Sequence, residues 1–283
     1  MRPELIAGSG TSVLVYDSGD NVLLAFGVAG EPLWRFGRKG GGPEEFGAVA
    51  DLKGDGTGGA LLLDSGNSRL AAVTSRGSLM AVTPTTQVLH RIAVGTDGSI
   101  IAAPLNDVFL VRVLGNGIAS SMPVPPELRA LGPLQRENYL GSTSSGSTVV
   151  VHRWSTTVIV ATSDFRSYRS FQLIDAQPFP AIKSFKAGPA GQYAVSRIDP
   201  AARPVRRASY VFADTLLVVD ARTESATQHM LDVYDVSAGK YLYSQRIPAY
   251  PLALARVGDR LFALVNEPAP ALVIWELSSA QIR

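Results

Sequence analysis

The chain contains no cysteine among its 283 residues. That excludes a disulfide framework, a thiolate metal site and a cysteine nucleophile. Charge is also sparse, at 18% of residues, and only five of the 26 cationic residues are lysine. The formal net charge of +2 lacks the basic excess of a nucleic-acid binder, so no nucleic-acid partner is expected. No apolar run approaches the 18 or so residues of a membrane-spanning helix. The opening Met1-Arg2-Pro3-Glu4-Leu5-Ile6-Ala7-Gly8 has no apolar segment of signal-peptide length. Two settings follow as expectations: a cytoplasmic protein, or an exported one whose signal lies outside this chain. Helical periodicity is missing as well. Glu127 to Leu140 comes nearest, and Gly132-Pro133 interrupts it.

What is present is an apolar chain finely cut by turn formers. Hydrophobic residues make up 46%, with 27 Gly and 18 Pro. This is not the composition of a disordered chain, and the length suffices for one large all-β domain or two average ones. Internal repetition carries the main signal. Val13-Leu14-Val15-Tyr16-Asp17-Ser18-Gly19-Asp20-Asn21 returns as Leu61-Leu62-Leu63-Asp64-Ser65-Gly66-Asn67-Ser68-Arg69, with the two Asp-Ser-Gly turns 47 residues apart. Each copy joins two apolar runs through an Asp/Gly/Asn turn, the pattern of a β-hairpin. A second hairpin signal begins at Gly30, Gly77, Gly117, Ser167 and Gly239. The first three spacings, 47, 40 and 50, are the length of a four-stranded propeller blade. The last, 72, predicts an insertion.

The sequence therefore predicts an all-β, six-bladed β-propeller of four-stranded antiparallel blades, forming one domain over residues 1–283. Radial packing covers both faces of each sheet. That explains strands apolar almost throughout, such as Val149-Val150-Val151 and Leu216-Leu217-Val218-Val219. Residues 199–208, rich in Pro and Arg, are the expected insertion. The polar stretch Thr223 to Gln228 is expected to separate two strands. Pro251–Ala255, Arg260–Val265 and Leu272–Leu277 supply three strands of a last blade. Pairing with the N-terminal segment Pro3–Ala7 is expected to complete it and close the ring, with Ser279–Arg283 competing for that place.

Phe36-Gly37-Arg38-Lys39-Gly40-Gly41-Gly42-Pro43-Glu44-Glu45-Phe46 resembles the inter-blade signature of NHL-like six-bladed propellers, with Glu44 where that family prefers Gly. Asp64-Ser65-Gly66-Asn67-Ser68-Arg69 resembles the turn that follows it, and Leu231 to Pro248 resembles a late blade of exported bacterial propellers. The resemblance implies the fold, a habit of partner binding and a periplasmic or other extracytoplasmic location. It implies no single reaction.

Candidate sites follow from chemistry. Asp17, Asn21, Asp64, Asn67 and Arg69 form a structural turn network, with carboxylates accepting turn amides and pairing with arginine. Arg35, Arg38 and Lys39, with Arg203, Arg206 and Arg207 of the expected insertion, are the candidate partner-binding cations. Gly40-Gly41-Gly42 precedes Pro43-Glu44-Glu45, not the Gly-Lys-Ser/Thr of a phosphate loop. His90, His152 and His229 are too dispersed for metal-ligand spacing, and no Gly-x-Ser-x-Gly elbow is present. No cofactor, metal or catalytic residue is assigned. The expected function is a non-catalytic protein-interaction module, an accessory or stabilising subunit of a larger membrane-associated complex. The alternatives are a calcium-dependent lactonase-like hydrolase, for which Asn106, Asp107, Asn116, Glu137 and Asn138 are available without forming a matched motif, and a small-ligand sensor.

Overall fold

Side chains alternate across a β-strand, so a strand apolar at every position needs a partner on each face. The computed structural model, which describes residues 2–114, 117–132, 135–174, 181–187, 193–199, 206–220, 229–266 and 269–276, meets that need with a ring. Blade 1 comprises β1 (Pro3–Ser9), β2 (Ser12–Asp17), β3 (Val22–Gly27) and β4 (Pro32–Phe36). Blade 2 comprises β5 (Val49–Gly54), β6 (Ala60–Asp64), β7 (Arg69–Val73) and β8 (Leu79–Pro84). Blade 3 follows with β9 (Leu89–Val94), β10 (Ile100–Pro104), β11 (Val108–Leu114) and β12 (Gly117–Pro123). Blade 4 has β13 (Asn138–Ser142), β14 (Thr148–His152), β15 (Thr157–Ala161) and β16 (Tyr168–Gln172). A separate two-stranded hairpin, β17 (Ile182–Ala187) and β18 (Tyr193–Ile198), comes next. Blade 5 is β19 (Arg206–Phe212), β20 (Thr215–Asp220), β21 (His229–Asp235) and β22 (Lys240–Ile247). Blade 6 is β23 (Ala253–Val257), β24 (Arg260–Val265) and β25 (Ala271–Glu276). Every sheet is antiparallel between sequential strands.

The innermost strands β1, β5, β9, β13, β19 and β23 touch in that cyclic order, and β23 returns to β1. Six apolar clusters fill the six seams. Within β2, Leu14 and Tyr16 face blade 2, where they meet Leu62 and Ala71. Val13 and Val15 face blade 6, where they meet Phe262 and Leu264. Within β6, Leu61 and Leu63 turn instead to Ile92 and Val111 of blade 3. One strand thus serves two seams. Of the five second-hairpin signals, Gly30, Gly77, Ser167 and Gly239 fall between the third and fourth strands of a blade, and Gly117 opens the fourth strand of blade 3.

Three expectations need correction. The N-terminal segment does not pair with the last blade: β1 pairs with β2, from Ser9↔Ser12 outward. A two-residue hairpin loop closes at far smaller entropic cost than a pairing across the whole chain. The ring closes by side-chain packing of Ile6, Val13 and Val15 on Ala255, Val257 and Phe262. Blade 6 consequently has three strands among the described residues; Ser279–Arg283 lie outside them. Of the insertion expected at 199–208, residues 200–205 lie outside the described residues; the described structure between blades 4 and 5 includes the β17–β18 hairpin. Arg206 and Arg207 begin β19, the axial strand of blade 5, with Arg206 in register with Asp220. The run Ala208 to Phe212 that makes β19 a core strand follows directly on that basic segment. Arg203 and Thr223–Gln228 lie outside the described residues. The helical candidate resolves into a 3-10 turn at Pro126–Leu128, followed by β13.

Candidate functional site

The inter-blade motif forms a hydrogen-bonded staple between blades 1 and 2. Asp64 ends β6 and is fully buried. Its Oδ1 accepts the Gly47 and Ala48 amides, each at 3.1 Å. Its Oδ2 accepts Asn67 Nδ2 at 2.7 Å and Arg69 Nε at 3.0 Å. Arg69 also donates to the Gly42 carbonyl at 2.8 Å and to the Glu45 carbonyl. Asn67 donates to the Gly40 carbonyl at 2.9 Å. Glu45 accepts Arg38 Nε at 2.9 Å and the Gly42 amide at 2.8 Å, and these bonds lower its pKa, the Gly42 amide most. Phe46 is wholly buried, edge-on to Tyr16 and Phe36. The three glycines thus thread a loop around Asn67, Arg69 and Glu45.

Asp17 ends β2 as Asp64 ends β6. Its Oδ1 accepts the Arg2 amide at 2.6 Å and the Gly19 amide at 2.9 Å. Both aspartates bind amides at the entry of their own blade's first strand. Asn21, at φ 54°, accepts the buried Tyr16 hydroxyl at 2.7 Å. Burial first, and nearby carboxylates with it, raise that phenol's pKa to about 12. The corresponding register position holds Pro104 in blade 3 and His152 in blade 4.

Arg35, Arg38 and Lys39 are exposed. Arg35 lies 3.8 Å from Asp20, and Arg38 pairs with Glu45 at 2.9 Å. The structure does not bring these cations together with Arg206 and Arg207, which open a strand in blade 5.

The axial strands enclose a channel of about 730 Å³, lined among others by Glu4, Asp51, Lys53, Arg91, Tyr139, Arg153 and Tyr210. Its charges engage one another. Arg2 pairs with Glu4 at 3.1 Å and Lys53 with Asp51 at 3.4 Å. Glu137 receives Arg153 at 2.7 Å, Trp154 Nε1 at 3.0 Å and Arg91 at 3.6 Å. Asp51 also accepts the Ile92 amide at 2.9 Å, tying blade 2 to blade 3. Sequence reasoning counted Glu137 only as an available residue and missed its arginine partners; isolated charges on separate blades carry no local signature. Of the other available residues, Asn106 and Asp107 sit on an exposed turn, Asn138 is buried, and Asn116 lies outside the described residues. Among the described residues no group of three or more His, Cys, Asp and Glu could hold a metal ion, and no helix is long and apolar enough to cross a membrane.

The ring of six blades is a β-propeller. Over 98% of its length the chain superposes on 76% of the Neurospora crassa Pan2 WD40 domain, with a TM-score of 0.58 at 11% identity. It covers 98% against 85% of virginiamycin B lyase from Staphylococcus aureus, TM-score 0.56 at 12% identity. It covers 98% against 96% of the Myceliophthora thermophila Cps50 (Swd1) propeller domain, TM-score 0.58 at 10% identity. At such identities the shared property is the fold alone, since one propeller carries unrelated functions. The sequence matches no family model and has no significant match among curated proteins, so the NHL likeness remains one of motif.

Proposed function

We propose that this propeller is a non-catalytic protein-interaction module that binds an extended strand of a protein partner along its outer rim. The observation that carries this reading is β8, the outermost strand of blade 2. Its sequence, Leu79-Met80-Ala81-Val82-Thr83-Pro84, has no charge, and every residue after Leu79 is exposed, Met80 at 64%. It pairs with β7 on one side only, so the other edge offers main-chain donors and acceptors to a further strand. The outer strands of blades 1, 4 and 5 are guarded by charge: β4 carries Arg35, β16 Arg169, and β22 Lys240 and Arg246; β12 is uncharged like β8, but its Met122 is buried whereas β8 exposes every residue after Leu79. Trp34 Nε1 donates to the Ser75 carbonyl at 2.8 Å, which sets β4 beside the turn leading into β8. Arg35 and Lys39 are then within the same sector and suit acidic residues flanking the docked strand. The channel supports this reading, because its ionisable groups pair with one another instead of converging on a reaction centre.

The extracytoplasmic, membrane-associated setting belongs to the same proposal and rests on the motif likeness alone. Quantitative capture from a native membrane fraction, with hydrogen exchange on the purified complex, tests it. The expected result is a stoichiometric partner that protects the β8 amides and is lost on Met80→Lys with Val82→Lys. A partner that protects another face, or retention by that double variant, overturns it.

A further inference from the structure

Among the described residues, pairing within the axial channel leaves one positive charge over. The wall carries the cations Arg2, Lys53, Arg91 and Arg153 and the carboxylates Glu4 and Asp51. Arg2 with Glu4, and Lys53 with Asp51, are matched one to one. Arg91 and Arg153 share a single carboxylate, that of Glu137, which is not part of the wall. Both reach the same oxygen. Glu137 Oε1 lies 2.7 Å from Arg153 Nη1 and 3.6 Å from Arg91 Nη2, while Oε2 accepts Trp154 Nε1 at 3.0 Å. Neither guanidinium thus receives the two-oxygen, two-bond partner that its planar fork is shaped for.

The two arginines stand at one mouth of the channel and are held there. Arg91 is the third residue of β9, and its Nη1 donates to the Ala50 carbonyl at 3.1 Å and the His90 carbonyl at 2.7 Å. Arg153 directly follows β14 and lies over the Trp154 ring, 5.4 Å from its centroid. Tyr139, also at the wall, lies under the Arg91 guanidinium at 6.0 Å. The arginine side chains are only 20% and 29% exposed, so their charge is screened less than on an open surface. Lys53 reaches from blade 2 past blade 3 to the Leu140 carbonyl of blade 4, at 3.2 Å, and gives this mouth a floor. The wall nearby, at Ala93, Leu140 and Val151, is apolar. A volume of about 730 Å³ is within the range of small-molecule sites.

We infer that this mouth is a binding site for a small organic monocarboxylate with an uncharged body. Its carboxylate lies between Arg91 and Arg153, where it supplies the one counter-charge that Glu137 cannot give to both. Its body rests on Tyr139 and the apolar wall above Lys53. The inference goes beyond the docking reading and is independent of it, since β8 lies at the outer rim and the arginines face the axis.

Three probes of one shape and different charge test it: benzoate, benzamide and benzamidine, titrated at pH 7.5 and equal ionic strength against thermal unfolding of the full chain. Benzoate is expected to raise the midpoint by about 2–4 °C at tenfold excess over its Kd. Neither the neutral amide nor the cation should raise it measurably. Arg153→Gln leaves Glu137 to Arg91 and Trp154, and is expected to weaken benzoate at least tenfold. In crystals of the unaltered chain soaked with 4-bromobenzoate, the carboxylate should lie between Arg91 and Arg153, with the bromine anomalous peak inside the channel. That measurement stands even if the variant fails to fold. A flat benzoate titration, an equal rise with benzamide, a benzoate response that survives Arg153→Gln, or bromine located only outside the channel overturns the assignment.

Discussion

Asp64 Oδ2 lies 3.0 Å from Arg69 Nε across the turn between β6 and β7, with both side chains buried. The pair belongs to one blade, yet apart from the bond Asp64 accepts from Asn67 within the turn, its remaining hydrogen bonds reach the loop arriving from the previous blade. It sets the distance between blades 1 and 2 as much as the shape of its own turn. Removing one partner leaves the other charged and buried. Asp64→Ala is therefore expected to lower stability by about 3–5 kcal/mol, and Arg69→Lys, which cannot reproduce the planar fork, to lower it substantially as well. Urea unfolding reads both; a loss under about 1 kcal/mol for Asp64→Ala would mean that the pair is ornamental.

Steric closeness makes a second prediction at the axis. A Cβ on Gly54 would stand 2.1 Å from the Gly8 carbonyl oxygen on the neighbouring axial strand. Backbone cannot step aside as a side chain can, so Gly54→Ala must push β5 and β1 apart. A loss of roughly 1–3 kcal/mol is expected. Phe46→Ala, which empties the centre of the same seam, should cost about 3–5 kcal/mol. Chemical denaturation of the two single variants decides both, and an unchanged midpoint for Gly54→Ala would contradict the close approach.

Acid should loosen the seam between blades 3 and 4. Burial, then the charge of Arg91, pushes His90 down to about 4; burial, then His90 and Arg136, pushes His152 down to about 3. In the unfolded chain both take up protons near 6.5. Below 6.5 the unfolded state binds more protons, so stability is full above that pH and falls as pH drops towards 4. The expected decline is at most about 1.4 kcal/mol per pH unit for each histidine. Urea midpoints at pH 7.5, 6.5 and 5.5 check it. Replacing both histidines with glutamine should flatten the profile, and an equally steep profile without them would refute the assignment.

Charging the rim strand should leave the fold intact. Met80 and Val82 are exposed on β8, so Met80→Lys with Val82→Lys is expected to change stability by no more than about 0.5 kcal/mol for each substitution. Partner binding should fall by at least tenfold. A large stability loss by circular dichroism would show that β8 is a structural edge instead of a docking one.

The amino-acid sequence alone determined the number of blades, because blade length is a local property. Each blade needs a turn former at the same two hairpins, and Gly30, Gly77, Gly117, Ser167 and Gly239 all mark the second one. It also determined the Asp64–Asn67–Arg69 turn, whose residues lie within six positions of one another. Only the tertiary structure decided how the ring closes, because pairing of β1 with β2 or with blade 6 would bury the same apolar segment, and loop entropy chose the nearer partner. It alone decided that Arg206 and Arg207 open an axial strand and that Glu137 meets Arg91 and Arg153 at the channel. Those encounters join residues from different strands and blades, and no pattern along the chain encodes which charge will face which once the sheets have stacked.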